Sequence, residues 1–243
     1  MLELKQLYKP FGKGAAAALS IGSLTIPTGE IVGVLGLNGA GKTSLLKAIV
    51  GLGELQEGEV SWRGRPVQEQ YGEVAYITEE GSFPPHMNAS EYADFLADFY
   101  PKFNRERYER LLKFFELDEY VRMGKISRGQ RARMEICAGF SKGAKLILMD
   151  EPFLGKDVFA RRDFLKLMVT SLQEDETFLI TTHLVDEIEH VIDRALIIHQ
   201  GAIRADVYME QLQESGKRLE SLLAEVVGHD GERYRRFLGG PSD

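Results

Sequence analysis

The stretch Gly36-Leu37-Asn38-Gly39-Ala40-Gly41-Lys42-Thr43 fits the pattern G-x-x-x-x-G-K-[ST] of a phosphate-binding loop. An apolar run of strand length, residues 31–35, comes directly before it, and residues 44–50 are typical of a helix that ends near Gly51. Strand, glycine-rich turn and helix is the order that such a loop needs. Because glycine lacks a Cβ, the backbone N–H groups of the turn can converge on phosphate oxygens at the helix N-terminus. The stretch therefore predicts nucleotide binding.

The side chains of this loop have separate expected roles. Lys42 is expected to reach the β and γ phosphates, and the hydroxyl of Thr43 is expected to hold Mg²⁺. Backbone N–H groups are expected to supply the other phosphate contacts. The predicted phosphate-binding residues are Gly36, Leu37, Asn38, Gly39, Ala40, Gly41, Lys42, Thr43 and Ser44.

The composition is that of an ordinary globular protein. With 243 residues, of which 44% are hydrophobic and 28% charged, the chain is long enough for one large domain with a proper core. We find no apolar run of the roughly 18 residues needed to cross a membrane, and no signal-peptide pattern at the start, so we expect a cytoplasmic protein. The net charge of −7 disfavours a dedicated nucleic-acid binder. The single Cys137 excludes an internal disulfide.

Apolar runs alternate with helical patterns in the second half of the chain. Residues 146–149, 178–181 and 195–198 are typical of buried strands. Strands separated by helices predict right-handed crossovers and a parallel sheet. Ligands of such sheets lie beyond the carboxyl ends of the strands, which is where the phosphate loop already lies.

The first half of the chain has a different character. Residues 2–7 and 19–26 predict two strands, and a second β pair is predicted from 59–63 and 73–77. From about 90 to 123 the aromatic and charged residues recur at helical spacing. The predicted fold class is therefore α/β: a P-loop NTPase core with a mainly parallel sheet, an N-terminal antiparallel β subdomain and an inserted α-helical subdomain.

Two carboxylates follow the apolar run 146–149 directly. Asp150 is placed where it can position Mg²⁺ through water, and Glu151 where it can orient or deprotonate the water that attacks the γ phosphate. The alternative is an acidic cap on a following helix, where both residue types are favourable.

A histidine follows the next apolar run. In Thr181-Thr182-His183 the imidazole is expected at the same edge of the sheet, where it could contact the γ phosphate and stabilise developing charge. The alternative for a single histidine is a surface or core position without a chemical role.

A third element is the run Ser127-Arg128-Gly129-Gln130 ahead of a helical pattern. By itself it predicts a serine helix cap with a flexible glycine. Beside a phosphate loop it is also a possible second anion site. If it lies on the helical insertion it cannot reach the loop of its own chain, so it would act across a dimer.

Together and in this order, these motifs resemble the ATP-binding subunit of an ABC transporter, over about residues 2–228. Residues 36–43 match the Walker A motif, and residues 146–150 with Glu151 match Walker B and its catalytic glutamate. Residues 126–130 match the family signature LSGGQ.

Three single positions extend the resemblance. Asp157 falls at the D-loop aspartate, His183 at the switch histidine, and Phe11 at the aromatic residue that stacks on adenine. The resemblance implies that ATP and Mg²⁺ are bound between two such subunits, by the Walker motifs of one and the signature of the other.

The site residues that the resemblance implies fall into three groups. The implied catalytic residues are Glu151 and His183. Besides the phosphate loop, the implied ATP contacts are Phe11, Glu79, Asp150, Ser127, Gly129 and Gln130. The implied metal ligands are Thr43, Glu79 and Asp150.

Three departures from the family pattern stand out. Glu79 replaces the usual glutamine of the Q-loop, which keeps an acceptor but loses the amide donor. Arg128 replaces the first glycine of the signature, and residues 153–157 depart from the common run before the D-loop aspartate. They are either tolerated variation or marks of an asymmetric heterodimer.

The resemblance also implies a division of the chain. Residues 1–78 and 145–208 would form a RecA-like core with its β subdomain, residues 79–144 a helical subdomain, and residues 209–243 a helical tail, all within one ABC ATPase domain. Phe83, Met87 and Tyr92 would either line a groove that receives the membrane subunit or simply pack the insertion.

The implied partners are a second ABC ATPase subunit, as a homodimer or a related heterodimer, and an integral-membrane transporter subunit. We expect export, with the protein on the inner face of the cell membrane through that partner and no nucleic acid. One alternative is a soluble ABC ATPase that acts on nucleic acid or ribosomes. Another is a regulatory module without turnover, which the intact Glu151 disfavours.

Overall fold

The computed structural model describes residues 1–10, 17–53, 55–78, 83–152, 158–171, 173 and 175–228. The strands are β1 (Leu2–Pro10), β2 (Ala17–Ile26), β3 (Ile31–Leu35), β4 (Glu57–Trp62), β5 (Arg65–Pro66), β6 (Val74–Ile77), β7 (Leu146–Asp150), β8 (Thr177–Thr182), β9 (Arg194–His199) and β10 (Ala202–Tyr208). The α-helices are α1 (Lys42–Ile49), α2 (Ala89–Phe99), α3 (Arg105–Phe114), α4 (Arg128–Ser141), α5 (Val158–Ser171), α6 (Val185–Ile188), α7 (Met209–Glu214) and α8 (Leu219–Val227). Short 3₁₀ turns cover Val67–Glu69, Tyr71–Glu73 and Met123–Lys125.

A six-stranded sheet forms the centre of the molecule, in the order β10-β9-β3-β8-β7-β6. β9, β3, β8, β7 and β6 pair in parallel, and β10 runs antiparallel to β9 at the edge. Every residue of β3 is buried, as are the first four of β7, because helices cover both faces of a parallel sheet. The predicted parallel α/β core is confirmed.

A second sheet lies at the N-terminal end and has the order β2-β1-β4-β5, with antiparallel pairing throughout. The buried leucines of β1, at positions 2, 4 and 7, face a cluster that includes Leu45, Leu46 and Ile49 of α1. This packing holds the helix that follows the phosphate loop between the two sheets.

One predicted strand pair is wrong. Residues 73–77 do not pair with residues 59–63, because β6 joins the parallel sheet beside β7 while β4 pairs with β1 and β5. Three of the four residues of β6 are buried, which a position at an exposed hairpin would not allow.

The helical insertion is confirmed, as α2, α3 and α4. Asn88 caps α2 in a reciprocal capping box with Glu91, and Asn104 caps α3 by accepting from the backbone N–H of Arg107. Tyr92 is only 6% exposed, and Phe83 and Met87 are partly buried against the same core. Packing of the insertion therefore accounts for Tyr92, which was a candidate for an exposed groove residue.

A buried ion pair joins the insertion to the central sheet. Nη1 of Arg107 on α3 lies 2.8 Å from Oε1 of Glu176, which directly precedes β8, and both side chains are less than a tenth exposed. The guanidinium also lies over the ring of Phe140, 5.5 Å from its centroid.

Among the described residues, no helix is long and apolar enough to cross a membrane.

We expect Arg107→Met to lower the free energy of unfolding by about 3 kcal/mol, because it leaves the Glu176 carboxylate buried without its cation. Chemical denaturation measures this change. The control is Arg110→Met on the same helix, where an exposed pair with Glu106 is lost and the expected change stays within about 0.5 kcal/mol. Equal effects of the two substitutions would show that the buried pair of Arg107 and Glu176 does not stabilise the fold more than the exposed pair does.

Candidate nucleotide-binding site

The register of three parallel strands brings the predicted site residues to one edge of the sheet. Leu35 at the end of β3 pairs with Thr182, and Asp150 at the end of β7 pairs with Thr181. The phosphate loop, the Asp150–Glu151 pair and His183 therefore emerge side by side from neighbouring strands.

Two glycines of the loop are required by its geometry. At Gly36 φ is +157°, and a Cβ there would lie 2.4 Å from the carbonyl oxygen of Ile198. At Gly41, which precedes α1, φ is +112°. Both conformations are costly for any residue with a Cβ, so the loop depends on glycine at these positions. Leu37, Asn38 and Gly39 are exposed at its tip.

The ammonium group of Lys42 lies inside the loop, and the residue is 6% exposed. Its Nζ donates to the carbonyl oxygen of Gly36 at 2.9 Å and lies 3.4 Å from that of Leu37. It also forms an ion pair with Glu151, at 3.1 Å from Oε1. The cation is thus held at the centre of the loop by acceptors that a phosphate could replace.

The carboxylate of Asp150 accepts hydrogen bonds from three hydroxyl groups. Its Oδ1 accepts from Thr43 at 2.9 Å and from Thr181 at 2.7 Å, and its Oδ2 accepts from Tyr76 at 3.2 Å. Burial, together with the charge of Asp150 and the hydrogen bond to it, raises the pKa of Tyr76, so the phenol remains a donor at neutral pH. The motifs predict that Thr43 and Asp150 serve the same magnesium ion, and no motif predicts the contacts of Thr181 and Tyr76 with Asp150.

Glu151 is held by its backbone and by both carboxylate oxygens. Its φ is +48°, and its N–H donates to the hydroxyl of Thr181 at 2.9 Å. While Oε1 faces Lys42, Oε2 lies 3.1 Å from Nδ1 of His183. Because a carboxylate only accepts, Nδ1 carries the proton in this arrangement.

The acidic-cap alternative for these carboxylates does not fit the structure. Asp150 is the last residue of β7, and its carboxylate accepts hydrogen bonds from the hydroxyls of Thr43, Thr181 and Tyr76. His183 lies at the expected edge of the sheet, with its side chain 40% exposed and in contact with Glu151. Its chemical role stays a prediction.

The oxygen donors near the loop suit Mg²⁺. Thr43 and Asp150 offer a hydroxyl and a carboxylate 2.9 Å apart, the hard ligands that this ion prefers. Among the described residues there is no cluster of three or more His, Cys, Asp or Glu side chains for a metal. A hydroxyl and a carboxylate so placed fit an ion that phosphate oxygens also bind.

The signature residues lie elsewhere on the chain, at the start of α4. Ser127 and Gln130 form a capping box, with 3.2 Å from the Gln130 N–H to the Ser127 hydroxyl and 2.9 Å from the Ser127 N–H to Oε1 of Gln130. Ser127 and Gly129 are exposed, and a Cβ at Gly129 would meet nothing within 4 Å. The predicted helix cap is confirmed, and its outer face is open.

Three predicted positions, Phe11, Glu79 and Asp157, lie outside the described residues. Two residues that sequence reasoning missed, Tyr76 and Thr181, contact Asp150. The only available signal was the position of Thr181 at a strand end beside His183. Tyr76 carries no local signal, because its partner is 74 residues away.

A family model described as "ABC transporter" matches residues 19–154, which include the phosphate loop, the signature and the Asp150–Glu151 pair. This chain belongs to the ABC transporter family. It is therefore an ATP-binding and ATP-hydrolysing subunit of the kind that serves ABC transporters.

Individual relatives agree with this assignment. The SkfA peptide export ATP-binding protein SkfE of Bacillus subtilis is 30% identical over 205 residues, which cover 80% of this chain and 84% of that protein. A solved ATP-binding subunit of an ABC transporter superposes with a TM-score of 0.81 at 28% identity, covering 93% of this chain and 99% of that one. A dimeric cassette in a post-hydrolysis state with ADP and phosphate shares the fold, with a TM-score of 0.75 at 22% identity over 86% of this chain and 99% of that one.

We expect Gly36→Ala to weaken ATP binding by about tenfold or more, because the strain of a Cβ at this φ and against Ile198 displaces the loop. Equilibrium binding of a fluorescent ATP analogue measures the effect. The control Gly72→Ala introduces a Cβ that meets nothing within 4 Å and should leave the affinity unchanged. Unchanged affinity in Gly36→Ala would show that the loop does not bind the phosphates.

Proposed function

We propose that this chain drives export by hydrolysing Mg·ATP at the edge of β3, β7 and β8, as one of two ATPase subunits bound to a separate membrane protein. The observation that carries the proposal is the position of Glu151, which is held between the cation of Lys42 and the imidazole of His183. A carboxylate so placed beside a phosphate loop can act as the general base for the attacking water.

Each described residue has a defined task in this proposal. Lys42 leaves Glu151 and binds the β and γ phosphates, which supply stronger acceptors than the carbonyl oxygens that it contacts in the structure. That exchange frees Oε1 of Glu151 to orient water and accept its proton. The N–H of His183 binds Oε2 of Glu151 in the structure. When Glu151 turns to the water, the same N–H can donate to the γ phosphate.

Mg²⁺, when bound, would neutralise charge on the phosphates, held by Thr43 and by Asp150 through water. We propose Glu79 as the third group toward the ion, and Phe11 as the ring that stacks on adenine. The hydrogen bond from Thr43 to Asp150 supports Thr43 as a ligand of the ion, because the threonine oxygen that donates this bond keeps its lone pairs for the ion.

We propose that a second ATPase subunit, identical or related, completes the site. The open outer face of the α4 start, with Ser127 and Gly129 exposed, supports a contact with the nucleotide of the partner. Ser127, Gly129 and Gln130 would then bind the γ phosphate across the dimer. A cassette of the same fold is dimeric with ADP and phosphate bound, which supports a dimer for this chain.

Export through an integral-membrane subunit is proposed from the similarity to the SkfA peptide export ATPase. The protein would then lie in the cytoplasm, on the inner face of the membrane through that subunit. The net charge of −7 supports a partner other than nucleic acid.

We propose the same division of the chain as above, with residues 1–78 and 145–208 as core, 79–144 as helical subdomain and 209–243 as tail.

We expect Glu151→Gln to lower the rate of ATP hydrolysis at least about 100-fold while ATP binding persists, because glutamine cannot accept the proton of water. The ATP-bound dimer should then accumulate, which size-exclusion chromatography with and without ATP detects. Glu116→Gln is the matched control, since Glu116 is an exposed glutamate with φ of +53°, close to that of Glu151. A hydrolysis rate in Glu151→Gln equal to that of the control would reject the assigned role.

The transport role is tested by purifying the native complex in mild detergent with a tag on this chain. An integral-membrane protein should be recovered in stoichiometric amount. Recovery of ribosomes or DNA in its place would overturn the transport role and leave the ATPase assignment standing.

A further inference from the structure

Tyr76 lies beside the predicted metal site although no motif includes it. In the register of β6 and β7, Tyr76 pairs with Leu148, and Asp150 follows two residues further on the same face. Two residues of a strand span about 6.6 Å, which a tyrosine side chain that leans along the strand can bridge. The phenol oxygen lies 3.2 Å from Oδ2 of Asp150.

The two oxygens of Asp150 are bound unequally. Oδ1 accepts from both Thr43 and Thr181, whereas Tyr76 is the donor that the structure records for Oδ2. The terminal torsion of an aspartate has a broad minimum, so the plane of the carboxylate is set by its hydrogen bonds and not by rotamer preference. A donor on Oδ2 therefore fixes the rotation of the whole group.

The ring of Tyr76 is itself held in place. It is half-buried and packs against the core cluster between the two sheets, which also contains Leu148 and Leu179. A packed ring presents its hydroxyl in one direction, which is what a fixed donor requires.

We propose that Tyr76 is a positioning residue for the metal–nucleotide site: its hydroxyl fixes the plane of the Asp150 carboxylate, which keeps Oδ1 on the hydroxyls of Thr43 and Thr181 and so holds the Thr43 oxygen toward Mg²⁺. The inference rests on the proposed Mg·ATP binding. If so, strand β6 contributes to the affinity for Mg²⁺ through the hydroxyl of Tyr76, in addition to its place in the sheet.

The test compares Tyr76→Phe with Tyr208→Phe, both of which keep the ring and lose only a hydroxyl. Tyr208 donates to the carboxylate of Glu30 at 3.1 Å, so the control loses a bond of the same kind at the opposite edge of the sheet. Binding of a non-hydrolysable ATP analogue is measured by calorimetry in EDTA and across a Mg²⁺ titration. Thermal unfolding of each variant shows that it is folded.

In Tyr76→Phe the Mg²⁺ concentration for half-maximal enhancement of binding should rise about tenfold, since a hydrogen bond to a charged acceptor is lost. Affinity in EDTA should stay at the wild-type value, and Tyr208→Phe should match wild type in both conditions. An unchanged Mg²⁺ midpoint in Tyr76→Phe, or an equal loss of affinity with and without Mg²⁺, would overturn the positioning role alone. Wild-type protein that binds no nucleotide, or binds it without any effect of Mg²⁺, would overturn the proposed function and this inference with it.

Discussion

Three neighbouring parallel strands, β3, β8 and β7, end in register at one edge of the central sheet, and everything proposed for this protein depends on that alignment. It places the phosphate loop, His183 and the Asp150–Glu151 pair on adjacent strands although they are distant in sequence. The alignment is stabilised on both faces by buried apolar side chains, which allow almost no slip because the core is closely packed. The base of the site is therefore set by the packing of the central sheet.

Charge is balanced within this edge before any nucleotide arrives. Lys42 is almost fully buried, which would be costly for an unpaired ammonium group, and Glu151 supplies the compensating charge. In the proposed function this contact is exchanged for phosphate contacts when ATP binds. The neighbouring Asp150 is held by the hydroxyls of Tyr76 and Thr181.

Sequence reasoning succeeded where the determinants are local. The successful predictions rest on the glycine spacing, the apolar runs before the phosphate loop and before Asp150, and the serine cap at Ser127, each within one continuous segment. It failed where the determinants are tertiary. The run 73–77 has the length of a hairpin strand, and only its burial beside β7 places it in the parallel sheet. The contacts of Tyr76 and Thr181 with Asp150 cross between strands that are 74 and 31 residues apart, so no spacing pattern could reveal them.

The central claim is that ATP binds by taking Lys42 from Glu151, which then becomes free to activate water. The most direct test is a structure of the protein with Mg²⁺ and a non-hydrolysable ATP analogue. The account predicts Nζ of Lys42 on the β and γ phosphates and its contact with Oε1 of Glu151, now 3.1 Å, broken. A nucleotide bound at this loop with the Lys42–Glu151 pair still intact would contradict it.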